Sequence, residues 1–302
     1  MRHNPVLLHE VLECLDLKPG AVVVDGTLGS GGHAEAMLQR IGAKGRFIGL
    51  DQDASAITRC REIFKADSRV TLIHENFRNI GDVLKEIHVA KVDAVLLDVG
   101  MSSEQLADEQ RGFSFQVKGE LDMRMNPEVG FKASELIAQA SESELADIFF
   151  YFGEERRARR FARVIVETRK HQPIRTTEDL THVVEQALPM TMRFKEGNRP
   201  VWARRHPATR IFQALRIAVN DEFNALKEGI LGAWEHLASA GRLAVISFHS
   251  LEDRIVKLQF REWVSLGQGK LIFRKPIVAK HSEMINNPRS RSAKLRAIEK
   301  KS

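Results

Sequence analysis

The chain has 302 residues, of which 43% are hydrophobic and 28% are charged. This length and composition are typical of a globular protein with at least one large core. We find no apolar stretch of the roughly 18–20 residues that a membrane helix requires, and the N-terminus lacks the apolar core of a signal peptide. The sequence therefore predicts a cytoplasmic protein without a membrane partner.

The net charge bears on the partner of the protein, and the two cysteines bear on disulfides and metal sites. The chain carries 46 Lys and Arg against 40 Asp and Glu, a formal net charge of +6, which favours a polyanionic partner without proving one. Cys14 and Cys60 form neither a C-x-x-C pair nor part of a cluster with metal-ligand spacing. We therefore predict reduced core cysteines and no metal site.

The first hundred residues alternate between strand and helix patterns. A leading helix over Leu7–Leu15 is followed by apolar runs at 21–25, 46–51, 70–74 and 92–98, with helical patterns between them. Such alternation predicts a parallel sheet covered by helices.

The rhythm changes in the middle of the chain. Between about 109 and 205 we find no convincing strand, and Ser141, Glu154–Lys170 and Thr177–Leu188 mark helices. The alternation then resumes with a long helix from Arg210 to about Ala240 that Gly241 stops. A strand over Leu243–Phe248 and a helix over Leu251–Leu266, capped by Ser250, follow it. This order predicts a helical insertion within one α/β domain.

A glycine-rich turn follows the first strand of the sheet. Val22–Val24 form a short apolar strand that ends at Asp25, and the segment Gly26–Gly31 leads into a helix. Glycines allow the backbone to approach a nucleotide-like ligand closely. The second strand ends in Asp51, which is placed to accept hydrogen bonds from ribose hydroxyls. The segment predicts a nucleoside-cofactor site.

The sequence of this turn is compatible with more than one ligand. The run Gly29-Ser30-Gly31-Gly32-His33-Ala34 also fits the dinucleotide pattern G-x-G-x-x-A, so a nicotinamide enzyme is one alternative, and a turn without a ligand is another. In a dinucleotide site, however, the glycines begin where the strand ends and aim a helix N-terminus at the pyrophosphate. Here Asp25 comes first, and a carboxylate suits a cationic ligand. S-adenosylmethionine, which carries an ammonium and a sulfonium but no phosphate, is favoured.

Further candidate residues lie where other strands end. Ligands of an open parallel sheet bind outside the carboxyl ends of its strands. Asp98 ends a very apolar strand and is the main catalytic candidate. Phe77 is either an adenine-stacking side chain or a core anchor, while Ser102 and Ser103 are either catalytic or helix-capping residues.

Basic residues cluster in three stretches. The run 156–160 fits a solvated helix face and a nucleic-acid contact equally well. The stretches 193–210 and 288–296 resemble loops, which suit phosphate contacts. From them we predict these substrate-binding residues: Arg204, Arg205, His206, Arg210 and Arg289.

A series of motifs runs through nearly the whole chain in order. It includes Asp25-Gly26-Thr27-Leu28-Gly29-x-Gly31-Gly32-His33, Asp51-x-Asp53, Leu97-Asp98-x-Gly100-x-Ser102-Ser103-x-Gln105-Leu106, Arg111-Gly112-Phe113-Ser114-Phe115, Leu121-Asp122-Met123-Arg124-Met125, Gly153-Glu154-Glu155-Arg156, His206-Pro207-Ala208-Thr209-Arg210 and Asn287-Pro288-Arg289. With these motifs the sequence resembles the MraW/RsmH family, bacterial methyltransferases that modify N4 of a cytidine in small-subunit (16S) ribosomal RNA.

The resemblance implies a fold, a cofactor and a substrate. It implies a Rossmann-like class I S-adenosylmethionine-dependent methyltransferase, with a catalytic domain over 1–108 and 206–302 and a helical RNA-recognition insertion over 109–205. The expected substrate is the decoding region of 16S ribosomal RNA in the small subunit, and a homodimer is a further expectation. The implied cofactor contacts are Gly31, Gly32, His33, Asp51, Phe77, Asp98 and Gln105, and Arg111 and Arg124 join the expected substrate contacts. An amino-methyltransferase of another nucleic acid stays an alternative.

The chemistry of that substrate limits the catalytic mechanism. The lone pair of a cytosine exocyclic amine is delocalised into the ring, so the enzyme must position the amine and accept a hydrogen bond from it. Asp98 is the candidate acceptor and a candidate for proton uptake; a backbone carbonyl within 99–102 is the alternative. His249 is either a base or a structural residue at the end of its strand.

Overall fold

The computed structural model describes residues 5–188, 206 and 208–301. Contacts between residues divide the chain into two compact units. The first, called the sheet unit here, comprises Met1–Gly100 and Phe223–Ser302. The second, called the helical unit, comprises Met101–Glu222. No helix within the described ranges is long and apolar enough to cross a membrane.

The sheet unit is built on seven strands in the order β3-β2-β1-β4-β5-β7-β6. The strands are β1 Val22–Asp25, β2 Arg46–Asp51, β3 Val70–His74, β4 Val92–Asp98, β5 Leu237–Ser247, β6 Gly269–Leu271 and β7 Lys294–Lys300. Strands β1 to β5 pair in parallel, whereas β7 runs antiparallel to both β5 and β6. This doubly wound, mainly parallel sheet confirms the predicted Rossmann-like fold.

Helices cover the sheet and complete its core. They are α1 Leu8–Leu15, α2 Gly32–Ile41, α3 Ala54–Phe64, α4 Ile80–Glu86, α11 Glu222–His236, α12 Ser250–Ser265 and α13 His281–Asn286. The central strands β1 and β4 are almost wholly buried, as expected for parallel strands covered on both faces. Both cysteines are buried free thiols.

Two helix predictions for this region were wrong in detail. The long helix predicted from Arg210 onward is divided at Asp221, whose φ of 47° lies in the left-handed region and ends the first helix. Gly241 does not end this helix but lies inside β5, beside an irregularity in the pairing of β4 with β5. The cap of α12 is His249 and not Ser250, since the His249 side chain accepts a hydrogen bond from the Glu252 amide.

The C-terminal basic segment is only partly the loop that we predicted. Pro288–Ser292 form a short 3₁₀ helix, and the residues after it form β7. Leu295, Ala297 and Ile298 are buried in the sheet unit, while the Arg296 guanidinium pairs with Asp253 at 2.7 Å. The strand β7 was not predicted because charged residues alternate with its buried apolar residues.

The helical unit contains α5 Ser103–Ala107, α6 Ala133–Gln139, α7 Glu142–Tyr151, α8 Ala158–Arg169, α9 Thr177–Gln186 and α10 Ala208–Asn220. Its core is a separate cluster of buried residues that includes Phe149, Phe161 and Leu180. Ser141 caps α7 as predicted, because its hydroxyl accepts from the Glu144 amide. The helix predicted over Glu154–Lys170 begins later, at Ala158.

The helical unit extends beyond the predicted insertion at both ends. The prediction placed the insertion at 109–205, whereas the compact unit runs from Met101 to Glu222. The reason at the C-terminal side is α10, whose Ile211, Phe212 and Leu215 are buried in the core of the helical unit. RNA recognition by the helical unit stays a prediction.

Close packing of α11 on the segment after β3 depends on a glycine. A Cβ atom at Gly229 would lie 2.5 Å from Phe77 Cδ2 and 3.1 Å from the Phe77 carbonyl oxygen. We expect Gly229→Ala to lower the free energy of unfolding by about 1–3 kcal/mol through overpacking, measured by urea denaturation. Gly81→Ala is the matched control, because the nearest atom to a Cβ there is 3.4 Å away. Equal stability of the two variants would contradict this account.

Candidate active site

Three carboxylates lie at the carboxyl edge of neighbouring parallel strands. Asp25 ends β1, Asp51 ends β2 and Asp98 ends β4. The register pairs Asp25 with Gly49 of β2 and with Leu96 of β4, so all three strands end at the same edge. The fold thus collects acidic groups that are distant in sequence.

Asp51 holds the glycine loop in place. One carboxylate oxygen accepts from the Gly29 amide at 2.8 Å and the other from the Asp53 amide at 2.9 Å. Gly31 has a φ of 79°, and a Cβ there would lie 3.1 Å from the Phe64 ring, so a larger residue would be strained and crowded. The predicted ribose acceptor is therefore also a structural part of the loop.

Thr27 connects Asp25 with Asp98. The Thr27 amide and hydroxyl donate to one carboxylate oxygen of Asp25, at 3.0 and 3.4 Å. The same hydroxyl accepts from the Asp98 backbone amide at 2.6 Å. Asp25, which is 1% exposed, thereby fixes the end of β1 against the end of β4. This role of Thr27 was not predicted from the sequence, although the residue stands inside the glycine-rich motif.

Asp98 has an acceptor atom without a partner. Its Oδ1 is buried and accepts no hydrogen bond from any part of the chain that the structure describes. Its Oδ2 lies 3.9 Å from Nδ1 of His33. The His33 ring is fixed from the other side, where Nε2 lies 3.0 Å from the Val6 carbonyl oxygen. A buried carboxylate oxygen in this state is suited to bind a donor group of a ligand.

Burial changes the protonation of all three acids. It raises the pKa of Asp25 to about 7, against the hydrogen bonds from Thr27. It also raises the pKa of Asp98 to about 7, where the negative charge of Asp25 adds to the effect and the Arg289 guanidinium opposes it. The pKa of Asp51 is raised to about 6, again by burial. A bound cation would favour the charged forms of these groups.

Other predicted site residues of the sheet unit have structural contacts. Phe77 is 8% exposed and packs in the core against α11, so the core-anchor alternative is the one that its contacts support. A Cβ at Gly32 would lie 3.2 Å from the Pro5 ring. Arg289 follows the start of the 3₁₀ helix and acts electrostatically on Asp98. It is the predicted substrate residue that the structure associates with the carboxylates.

The remaining predicted residues belong to the helical unit. Ser102 caps α5, because its hydroxyl accepts from the Gln105 amide while the Gln105 side chain accepts from the Ser102 amide. This favours the capping alternative for Ser102. The Ser103 side chain, Arg204 and Arg205 lie outside the described structure.

Two of the predicted substrate arginines, Arg111 and Arg124, bind groups within the helical unit itself. The Arg124 guanidinium pairs with Asp122 at 2.7 Å, and Arg111 donates to the Arg124 and Met125 carbonyls. These two side chains therefore stabilise their own loop.

His206 and Arg210 make fewer internal contacts. His206 stacks on Phe115 at 5.0 Å and lies 3.1 Å from Glu185. The Arg210 side chain is 48% exposed and pairs with Glu155 at 3.5 Å. The Arg210 side chain is thus about half accessible to solvent.

A Rossmann-like sheet whose strand ends carry a glycine loop and acidic groups is typical of enzymes that bind a nucleoside cofactor. Over residues 1–301 the chain matches the model of the MraW methylase family. It therefore belongs to that family.

Individual relatives match over almost their entire length. The ribosomal RNA small subunit methyltransferase H of Heliobacterium modesticaldum is 47% identical over 315 aligned positions, which cover 99% of this chain and 98% of the relative. The protein of the same name from Halothermothrix orenii is 41% identical and covers 99% of each chain. The resemblance seen in the sequence motifs is thereby confirmed.

The raised pKa values predict how stability depends on pH without cofactor. An unfolded Asp has a pKa of about 3.9, whereas Asp98 and Asp25 have values of about 7 in the folded state. Between about pH 4 and 7 the folded state thus binds protons that the unfolded state has released. The free energy of unfolding should fall as pH rises through this window.

Asp98→Asn tests this linkage directly. The amide does not titrate, and its neutrality also lowers the cost of ionising Asp25. We expect the variant to lose less stability than the wild type between pH 5 and 7.5 in urea denaturation, with a difference of about 1–3 kcal/mol. Parallel pH profiles of the two proteins would contradict the raised pKa values.

Proposed function

We propose that the protein transfers a methyl group from S-adenosylmethionine to N4 of a cytidine in 16S ribosomal RNA. The observation that carries this proposal is the match along the whole chain to the MraW methylase family, whose relatives at 41–47% identity are named ribosomal RNA small subunit methyltransferase H. The decoding region as the target, a homodimer and a cytoplasmic location belong to the same proposal. The nicotinamide alternative is not favoured by this family.

The residues at the carboxyl edge fit this cofactor. S-adenosylmethionine supplies an electrophilic methyl group on a positively charged sulfonium. The unpartnered oxygen of Asp98 and the buried carboxyl group of Asp25 suit a ligand with positive charge and hydrogen-bond donors. Asp51 would hold the ribose hydroxyls, with the loop glycines Gly31 and Gly32 beside the ligand. His33 and Gln105 remain proposed contacts of the cofactor.

Asp98 is the proposed acceptor for the target amine. A hydrogen bond from the amine N–H to Asp98 Oδ1 would orient the nitrogen and favour its pyramidal form. A carboxyl group with a pKa of about 7 is also suited to take up a proton at neutral pH. Thr27 contributes by holding the Asp98 backbone. Ser102 and Ser103 remain alternative catalytic candidates.

Substitution of Asp98 tests this role. We expect Asp98→Ala to lower kcat for methyl transfer to 16S ribosomal RNA by about 100- to 10,000-fold, measured with labelled S-adenosylmethionine and followed by nucleoside analysis. Asp98→Asn retains an acceptor oxygen but not the charge. Substantial turnover with Asn would assign a positioning role, while loss of turnover with normal cofactor affinity would assign proton uptake. A fully active Asp98→Ala enzyme would refute both roles.

Asp51 provides a separate test of the cofactor site. We expect Asp51→Ala to weaken S-adenosylmethionine binding by about 10- to 100-fold in calorimetry, because a hydrogen bond to a charged group contributes about 1.5–3 kcal/mol. Asp51→Asn is the control for the structural role, since its side-chain oxygen can still accept from the Gly29 amide. Unchanged affinity in a folded Asp51→Ala protein would remove Asp51 from the proposed site.

A further inference from the structure

The connection between α7 and α8 carries a surface that the proposed active site does not use. It consists of Phe150 and Tyr151 at the end of α7 and of four arginines at the beginning of α8, Arg156, Arg157, Arg159 and Arg160. We call these six residues the α7–α8 surface. All six are exposed in the helical unit.

The two aromatic side chains are unusually open to solvent. Phe150 is 53% exposed and Tyr151 is 62% exposed. Their ring centroids lie 5.1 Å apart with an interplanar angle of 83°, so the rings present differently oriented faces. Exposed aromatic rings beside basic residues are the usual means of binding unpaired bases.

The four arginines are unpaired, in contrast with the basic residues that follow them. Among the residues described by the structure, none of the four guanidinium groups has a hydrogen bond or an ion pair. Farther along α8, Arg163 pairs with Glu142 at 3.5 Å and Arg169 donates to the Ile137 carbonyl. The unpaired cations are therefore concentrated at one end of the helix pair.

The fold holds the aromatic and basic residues at this end. The turn is tight, since the Glu155 amide donates to the Phe149 carbonyl at 3.1 Å and a Cβ at Gly153 would lie 2.7 Å from the Arg210 carbonyl oxygen. Glu155 is 8% exposed and pairs with Arg210, so its charge is compensated locally. Asp147 and Glu154 remain as exposed acids beside the surface. Arg210, a predicted substrate residue, borders it.

Helix stability does not account for these arginines. The first turn of α8 contains no acidic residue, and Arg157 at its N-cap makes no capping hydrogen bond through its side chain. Cations at a helix N-terminus oppose the helix dipole. A helix face that served only for solvation would not require this unfavourable arrangement.

We propose that the α7–α8 surface binds a single-stranded segment of the ribosomal RNA substrate. The arginines contact phosphates, and Phe150 or Tyr151 stacks on an unpaired base. The inference rests on the proposed function for its choice of RNA as the partner. It assigns a role to the basic run for which the sequence left two alternatives open.

Two variants and a matched control test the proposal. The first changes Arg156, Arg157, Arg159 and Arg160 to Gln, and the second is Phe150→Ser with Tyr151→Ser. The control changes four other exposed cations without an ion pair among the described residues, Arg40, Lys44, Arg61 and Arg261, to Gln. The probes are protein-free 16S ribosomal RNA and purified small ribosomal subunits. Binding is measured over a series of salt concentrations, together with thermal unfolding and the KM of methyl transfer.

The two variants should fail in different ways. The arginine variant should bind RNA at least about tenfold more weakly, and the slope of log K against log salt should decrease by about 0.7 for each lost phosphate contact. Its thermal stability should equal or exceed that of the wild type, because unfavourable charges leave the helix N-terminus. The aromatic variant should lose about tenfold in affinity with the salt slope unchanged. The control should keep the wild-type affinity.

Several outcomes would overturn the proposal. It is refuted if the arginine variant keeps the affinity and salt slope of the control. It is also refuted if binding weakens only with assembled subunits and not with protein-free RNA, which would identify a ribosomal protein as the partner. If the wild type binds RNA through this surface but transfers no methyl group to 16S ribosomal RNA, the proposed function fails and the RNA-binding surface stands.

Discussion

The cost of burying carboxylates where parallel strands end is the constraint on which this site depends. Asp25, Asp51 and Asp98 meet at one edge because β1, β2 and β4 are neighbours in parallel register. Each carries a raised pKa. The Asp25 and Asp51 carboxylates accept from backbone amides, whereas Thr27 holds the backbone amide of Asp98. Desolvation of this acidic cluster destabilises its charged form, and a cationic ligand would offset that cost. The glycine loop, the first turn of α2 and the register of the sheet all serve to maintain this edge.

Much of this arrangement could be predicted from the sequence. The strands ending at Asp25, Asp51 and Asp98 are short apolar runs, and each is bounded by the acid that ends it. The pattern therefore located the strands and the acids that end them, while the role of these acids in a cofactor site stays a prediction. It did not reveal that Asp51 ties down the glycine loop or that Thr27 joins two strands, because such contacts depend on distances between segments that sequence spacing does not encode. Phe77 illustrates the same limit, since only the approach of Gly229 distinguishes a core anchor from a stacking residue.

The basic residues that cluster in the sequence differ in whether they form ion pairs in the structure. In sequence, the stretches around α8 and near the C-terminus are both dense in basic residues. In the structure, Arg296 and Arg163 neutralise acids, and Arg124 pairs with Asp122 within its own loop. The arginines at the start of α8, in contrast, have no ion pair within the described ranges. A count of cations therefore overstates the surface available for phosphate groups. The hidden strand β7 was missed for a related reason, because alternating charges masked its buried Leu295 and Ala297.

The position of β7 has a consequence for biosynthesis. This strand, formed by residues 294–300, lies between β5 and β6 in the sheet, so β5 keeps an open edge until these residues have been made. An unpaired strand edge is a template for pairing with other chains, and contacts between distant segments form slowly. The helical unit, in contrast, is encoded by one continuous segment and can be complete earlier. Pairing of β7 with β5 and β6 is then the step that completes the sheet, and a chain without β7 would keep an open strand edge that favours aggregation.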